Sequence, residues 1–257
     1  MRLRPVVLVA ALPPNPRDRV ITVYGRKPVL EALADDKVTV DKVLLADNAG
    51  GPQVSQLLRE AARRGVDVLR VPPARVTKVS RNGRQDQGVV ADIVAPGLRR
   101  LSADTAARLE GPVLVLDGVT NPQNVGMILR TAVAAGLAGV VLPRHGVPDL
   151  SPLVVKASAG AALDAPVLRA DDAASALTIL GDAGFSSFGL VADATRSLWD
   201  PLPFPAKAAF VLGSETGGIR VDVDERLAIP MAGKVDSLNV AVACGVLCFE
   251  LVRRATT

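Results

Sequence analysis

The second half of the chain alternates short, almost purely apolar runs with helix-period segments. That alternation restricts the fold more than any other feature. Residues 113–116, 140–142, 186–191, 208–212 and 226–229 are too short and too apolar for surface helices, and they read as buried strands. Helical patterns intervene at 125–135, 152–162 and 173–183. Apolar strands separated by helices imply a mostly parallel sheet covered on both faces. In such α/β sheets ligands gather at the carboxyl ends of the strands.

The first part reads as a smaller α/β unit. A helix is expected over 24–33, with Val29, Leu30 and Leu33 on one face, and strands over 43–46, 66–71 and 89–94. A second helix over 53–64 carries Val54, Leu57, Leu58 and Ala61 on one stripe, and Gly65 closes it. Four segments follow: a loose leader (1–18), a small unit (19–97), a linker with a short helix at 103–109 (98–111) and a larger unit (112–257). The leader superficially resembles a signal peptide. Its apolar run is short and is followed by Pro13, Pro14 and Pro16, so a flexible leader, or a start placed too early, is the better reading.

Charge is unevenly placed. Residues 1–97 hold 16 Lys and Arg against 10 Asp and Glu, and the remainder holds 14 against 16. A basic N-terminal unit suits a polyanion, although an ordinary solvated surface explains so modest an excess equally well. No run approaches the roughly 20 apolar residues of a membrane span. Cys244 and Cys248 lie four apart in an apolar run and read as buried small hydrophobes in a reducing compartment, with no disulfide framework. The single histidine, His145, cannot build a metal cluster, so no metal is expected.

The last helical segment, 238–252, is apolar nearly all round. Leu238, Val242, Gly245, Phe249 and Val252 form one stripe; Val240, Cys244, Leu247 and Leu251 form another. Such a helix must be buried on both sides. One side packs on the chain's own sheet and the other is expected to meet a second copy, giving a homodimer.

Three junctions carry candidate chemistry. In the first, a strand ends at Asp117-Gly118, Asn121-Pro122 opens a helix, and Asn124, Gly126 and Arg130 follow. An arginine beside an asparagine-rich helix start can hold a phosphate or an oxyanion, with Gly126 leaving room beside it. On spacing alone, a surface arginine and a capping asparagine account for these residues slightly better. The second junction runs a strand into Leu212-Gly213-Ser214-Glu215-Thr216-Gly217-Gly218, whose glycines permit close approach to a ligand or simply a tight turn. It matches neither a P-loop nor a dinucleotide fingerprint. The third runs Ile229-Pro230-Met231 into Ser237-Leu238-Asn239, where Ser237 or Asp236 is expected to cap the last helix and Asn239 needs a polar partner.

Taken in order, N-x-x-N-x-G-x-x-x-R, L-G-S-E-x-G-G and I-P-M-x-G-x-x-x-S-L-N-V resemble the three signature motifs of the SpoU/TrmH family of ribose 2′-O-methyltransferases, in the SPOUT superfamily. The likeness spans roughly 112–254. Lys156 to Ala161 also resembles a family segment, and Val23 to Leu33 with Asp86 to Ala91 resembles the ribosomal-protein-like substrate domain of the ribosomal-RNA branch. The resemblance implies a trefoil-knotted fold and a pocket for S-adenosylmethionine walled by Leu212, Gly213, Gly217, Ile229, Met231, Ser237 and Leu238. It implies catalytic roles for Arg130, Asn124, Glu215 and Asn239. RNA binding would fall to Arg26, Lys27, Arg81 and Arg84. The implied reaction is methylation of a ribose 2′-hydroxyl, most naturally of a guanosine in 23S ribosomal RNA, by a cytoplasmic enzyme. A transfer-RNA enzyme, an antibiotic-resistance ribosomal-RNA enzyme and a non-catalytic RNA-binding protein stay open as alternatives. The chain departs from the pattern at Ala241, where the family often has serine.

Overall fold

The structure is a computed structural model that describes residues 20–36, 38–95, 97–201 and 203–256. The leader expected over 1–18 lies outside the described residues.

The small unit runs β1 (Val20–Tyr24), α1 (Arg26–Ala34), β2 (Val40–Ala46), α2 (Pro52–Arg63), β3 (Asp67–Val71), α3 (Pro73–Ser80) and β4 (Val89–Val94), with strands ordered β1-β4-β2-β3. Helices α1 and α2 press Val29, Leu33, Val54, Leu57 and Ala61 against Val23, Val43, Leu45 and Ala91 on one sheet face. Gly65 ends α2 as expected: at φ +63° its N–H bonds to Ala62 O, and Val66 N–H bonds to Ala61 O. Tyr24 differs from expectation. It ends a strand paired with β4, opposite Val90, so the helix starts at Arg26. Helix α3 was not expected; Val76 anchors it over Leu44, Ala46, Val71 and Val90 on the opposite sheet face.

The larger unit runs β5 (Arg99–Arg100), α4 (Ala103–Ala107), β6 (Val113–Asp117), α5 (Pro122–Ala134), β7 (Gly139–Pro143), α6 (Pro152–Ala157), β8 (Val167–Ala170), α7 (Ala173–Asp182), β9 (Ser186–Leu190), β10 (Arg196–Ser197), β11 (Ala208–Gly213), β12 (Glu225–Ala228) and α8 (Val240–Thr256). Its eight strands are ordered β10-β12-β9-β11-β6-β7-β8-β5, and each neighbouring pair is parallel. Side chains alternate along β6. Leu114 and Leu116 join the core under α5 and α8, and Val113 and Val115 join the core under α4 and α7. Residues 98–111, read as a linker, carry β5 and α4, with Leu98, Leu101, Ala106 and Leu109 buried.

Gly126 has a different use from the one expected. A Cβ there would lie 2.5 Å from Ala157 Cβ and 2.6 Å from Val154 O, so the missing side chain lets α6 cross α5 closely and makes no room for Arg130. Gly126→Ala should therefore overpack this crossing. We expect a loss of about 1–3 kcal/mol in chemical unfolding; an unchanged midpoint would contradict the close crossing.

Helix α8 buries Val240, Cys244, Leu247 and Cys248, while Val242 and Phe249 remain more than half exposed. The thiols are 3.7 Å apart and free, and the hydrogen bond to Cys248, together with burial, pushes the Cys244 thiol up. Among the described residues, no helix is long and apolar enough to cross a membrane.

Candidate active site

The carboxyl ends of β12, β9 and β11, side by side in the sheet, open into a cleft of about 360 Å³. Leu212, Gly213, Ile229, Met231, Ser237 and Leu238 line it; Gly217 does not, and its neighbour Gly218 does. The glycine loop is a tight closure. Ser214 and Gly218 exchange backbone hydrogen bonds of 3.0 and 2.9 Å, and Gly217 N–H bonds to Ser214 Oγ at 2.9 Å. A Cβ on Gly213 would lie 2.2 Å from the Gly218 carbonyl carbon, so only glycine lets this loop fold back over the strand end.

Three motifs widely separated in sequence meet through one carboxylate. Glu215 Oε1 accepts from Asn124 Nδ2 at 3.1 Å and from Asn239 Nδ2 at 2.5 Å, and Asn239 Nδ2 also reaches Asn124 Oδ1 at 3.2 Å. Asn124 is buried in the first turns of α5, whose cap is Asn121, accepting from Gln123 N–H at 2.9 Å. Asn239 is itself the cap of α8, in place of Ser237 or Asp236. Its Oδ1 accepts from Ala241 N–H at 2.9 Å and Val242 N–H at 3.4 Å. The Glu215 carboxylate thus ties two helix starts to the glycine loop; Glu215 lines the cleft, while Asn124 and Asn239 do not.

Arg130 does not line this cleft within its own chain. It is six residues beyond Asn124 on α5, about 9 Å along the axis and on another side of the helix. There it stands exposed beside Met127 and Val133, which are 42 % and 39 % exposed. Helix α5 packs on α8, whose exposed large apolar residues are Val242 and Phe249.

Several cleft residues escaped the sequence reading: Asp193, Asp236 and Arg226 also line it. Asp193 follows the carboxyl end of β9, so the strand-end rule could have found it. Asp117, buried at the end of β6, accepts from the backbone N–H of Arg220 and faces its guanidinium at 3.6 Å. Of the expected RNA contacts, Arg26 borders a nook with Asn48, Gln53 and Gln87. Lys27 pairs loosely with Glu31 at 3.9 Å, Arg81 faces Asp149 at 3.6 Å across the two units, and Arg84 is exposed. His145 is an exposed loop residue whose Nδ1 meets Asp171 O at 2.9 Å.

Known proteins bear on this geometry. The model of the SpoU rRNA Methylase family matches residues 111–249, and a model for RNA 2'-O ribose methyltransferase substrate binding matches residues 22–97. A 23S rRNA (guanosine-2'-O-)-methyltransferase of Xanthomonas axonopodis pv. citri is 35% identical over 243 residues, covering 90% of this chain and 96% of its own. A putative TrmH family tRNA/rRNA methyltransferase of Bacillus subtilis is 34% identical over 243 residues, covering 90% and 95%. The fold is similar to the AdoMet-bound rRNA methyltransferase from Sinorhizobium meliloti (TM-score 0.61, 26% identity, 93% of this chain and 88% of that one). It is also similar to a putative RNA methyltransferase of the TrmH family from Porphyromonas gingivalis (TM-score 0.62, 31% identity, 93% and 91%). Both halves are matched, and Asn124 and Asn239 meet at Glu215, which lines the strand-end cleft: the chain belongs to the SpoU rRNA methylase family.

Proposed function

We propose that the protein methylates a ribose 2′-hydroxyl of a guanosine in 23S ribosomal RNA, using S-adenosylmethionine, in the cytoplasm. The observation that carries this reading is the Asn124–Glu215–Asn239 cluster, whose carboxylate lines a strand-end cleft. The cleft suits the donor chemically. Leu212, Ile229 and Leu238 offer apolar walls, Asp193, Glu215 and Asp236 are carboxylates for a ligand bearing sulfonium and ammonium groups, and Arg226 is a guanidinium for its carboxylate. Bound S-adenosylmethionine supplies an already activated methyl group, so no covalent enzyme intermediate is required.

What this chain supplies is alignment and charge. Glu215 holds Asn124 and Asn239 in fixed orientation, and preorganised groups of this kind lower a barrier without reorganising during the reaction. A guanidinium offers hydrogen-bond donors and no acceptor, so Arg130 is not the group that takes the hydroxyl proton. Its role is to bind an RNA phosphate and stabilise the developing 2′-oxyanion, while the hydroxyl proton passes to phosphate or water.

Arg130 reaches a cleft by dimerisation. A second copy covers Met127, Val133, Val242 and Phe249 and brings each Arg130 to its partner's site. Light scattering at micromolar concentration should give twice the chain mass, and Phe249→Asp should return it to one. A wild-type mass of one chain would contradict the dimer. Residues 112–257 are the catalytic unit, with the segment that leads into α8 threaded as a trefoil knot. Residues 19–97 select the RNA, with Arg26, Lys27, Arg81 and Arg84 among their contacts, and 98–111 connect the two.

The test is transfer of labelled methyl from S-adenosylmethionine. Label should enter 23S ribosomal RNA and not transfer RNA; label in transfer RNA alone would favour the transfer-RNA alternative.

A further inference from the structure

A second cleft, of about 520 Å³, lies between the two units. Five cations line it, Lys42, Arg75, Arg81, Arg144 and Arg169, against two acids, Asp92 and Asp149. Both acids are already engaged: Asp92 faces Lys42 at 3.3 Å, and Asp149 meets Arg169 at 2.9 Å and Arg81 at 3.6 Å. Arg75 is exposed and makes no ion pair among the described residues. The floor is the sheet face that α1 and α2 leave open. It presents Tyr24, whose hydroxyl accepts from Asn82 Nδ2 at 3.2 Å, and Leu69, 47 % exposed on edge strand β3. Cations beside base-sized apolar surface are what unstacked nucleotides require.

The position of this cleft links it to the candidate active site. Arg144 follows the carboxyl end of β7 and Arg169 lies on β8, so both clefts open on the same edge of one parallel sheet. With strands about 4.8 Å apart, β8 stands roughly 19 Å from β9, with β11, β6 and β7 between. That gap is bridged by Arg220. Its guanidinium lies over Gly118, where a Cβ would meet Nη2 at 2.2 Å, and borders Gly146, where the same distance is 3.5 Å. Its side chain is 62% exposed.

We propose that single-stranded ribosomal RNA runs along this carboxyl edge. Arg75, Arg81 and Arg144 hold its phosphates in the inter-unit cleft, and Arg220 guides the strand across the end of β6 to the methyl-donor cleft. Arg220 is thus a positioning residue for the RNA. The inference rests on the methyltransferase reading above, and it adds the inter-unit cleft to the RNA contacts proposed there, of which Arg81 lines this cleft.

The test compares the full-length wild type with an Arg75→Gln/Arg144→Gln double variant and with Arg220→Gln, using a 23S ribosomal RNA fragment that the wild type methylates. The KM for RNA should rise about 10-fold or more in the double variant and several-fold in Arg220→Gln. The slope of log affinity against log salt should fall by about one for each phosphate contact removed. Calorimetric affinity for S-adenosylmethionine, which also reports intact folding, should not change. Arg59→Gln, on the outer face of α2, should behave as wild type. Unchanged KM and salt slope in both cleft variants, with an active wild type, would overturn the path while leaving the methyltransferase reading in place. A wild type that transfers no methyl to any RNA would overturn both.

Discussion

Arg130→Ala is expected to lower methyl transfer by about 100- to 1,000-fold, the usual cost of removing one donor to a developing oxyanion. Affinity for S-adenosylmethionine should stay unchanged, because the role proposed for Arg130 is at the RNA phosphate and the 2′-oxygen and not at the donor. Arg130→Lys should also be impaired, since an ammonium cannot reproduce a bidentate contact to phosphate. Near-normal turnover by Arg130→Lys would remove that geometry from the account. The proposed dimer adds a sharper expectation. Mixing inactive Arg130→Ala with inactive Glu215→Ala should restore activity, because a mixed dimer of the proposed kind would pair one intact cleft with one intact arginine. No recovery after verified subunit exchange would place Arg130 in service of its own chain.

The second large effect concerns the helix that closes the site. Glu250, buried on α8, accepts from Arg253 Nε and Nη2 at 2.8 Å and from Arg254 Nε at 2.7 Å. Arg254 in turn donates to Leu198 O and Asp200 O and lies over the Phe204 ring at 4.8 Å. The Arg253 guanidinium does most to hold the Glu250 carboxyl down at about 2, below its ordinary 4.5; burial opposes this and Arg254 adds to it. A depressed carboxyl stabilises the fold fully above its ordinary value, and the contribution is lost as pH falls from 4.5 towards 2. Glu250→Ala should therefore cost about 2 kcal/mol in chemical unfolding at pH 7. The gap from wild type should narrow on acidification towards pH 2. A gap that is constant with pH would mean that Glu250 acts by packing rather than charge.

Five strands of the larger unit, β6, β7, β9, β11 and β12, were legible because each is an apolar run that cannot be a surface helix. Those that escaped show the limit of that signal. Strand β8 carries Arg169 among four residues, and β10 is only Arg196 and Ser197, so their pairing comes from neighbours and not from local pattern. Asn239 is more instructive. From sequence it was a polar side chain in need of a partner, and its amide finds two. Its oxygen caps α8 and its nitrogen reaches Glu215. The convergence of Asn124 and Asn239, separated by 115 positions, has no local signal at all; only the ordered family motifs pointed to it. Gly126 was misread for a related reason: the residue it makes room for, Ala157, lies on another helix.

The most direct measurement is nucleoside analysis of 23S ribosomal RNA after reaction with methyl-labelled S-adenosylmethionine. The label should be recovered as 2′-O-methylguanosine at a single position, and Glu215→Ala should abolish it. Label on a base, or label retained when the Asn124–Glu215–Asn239 cluster is broken, would contradict the assignment of this cleft to ribose methylation.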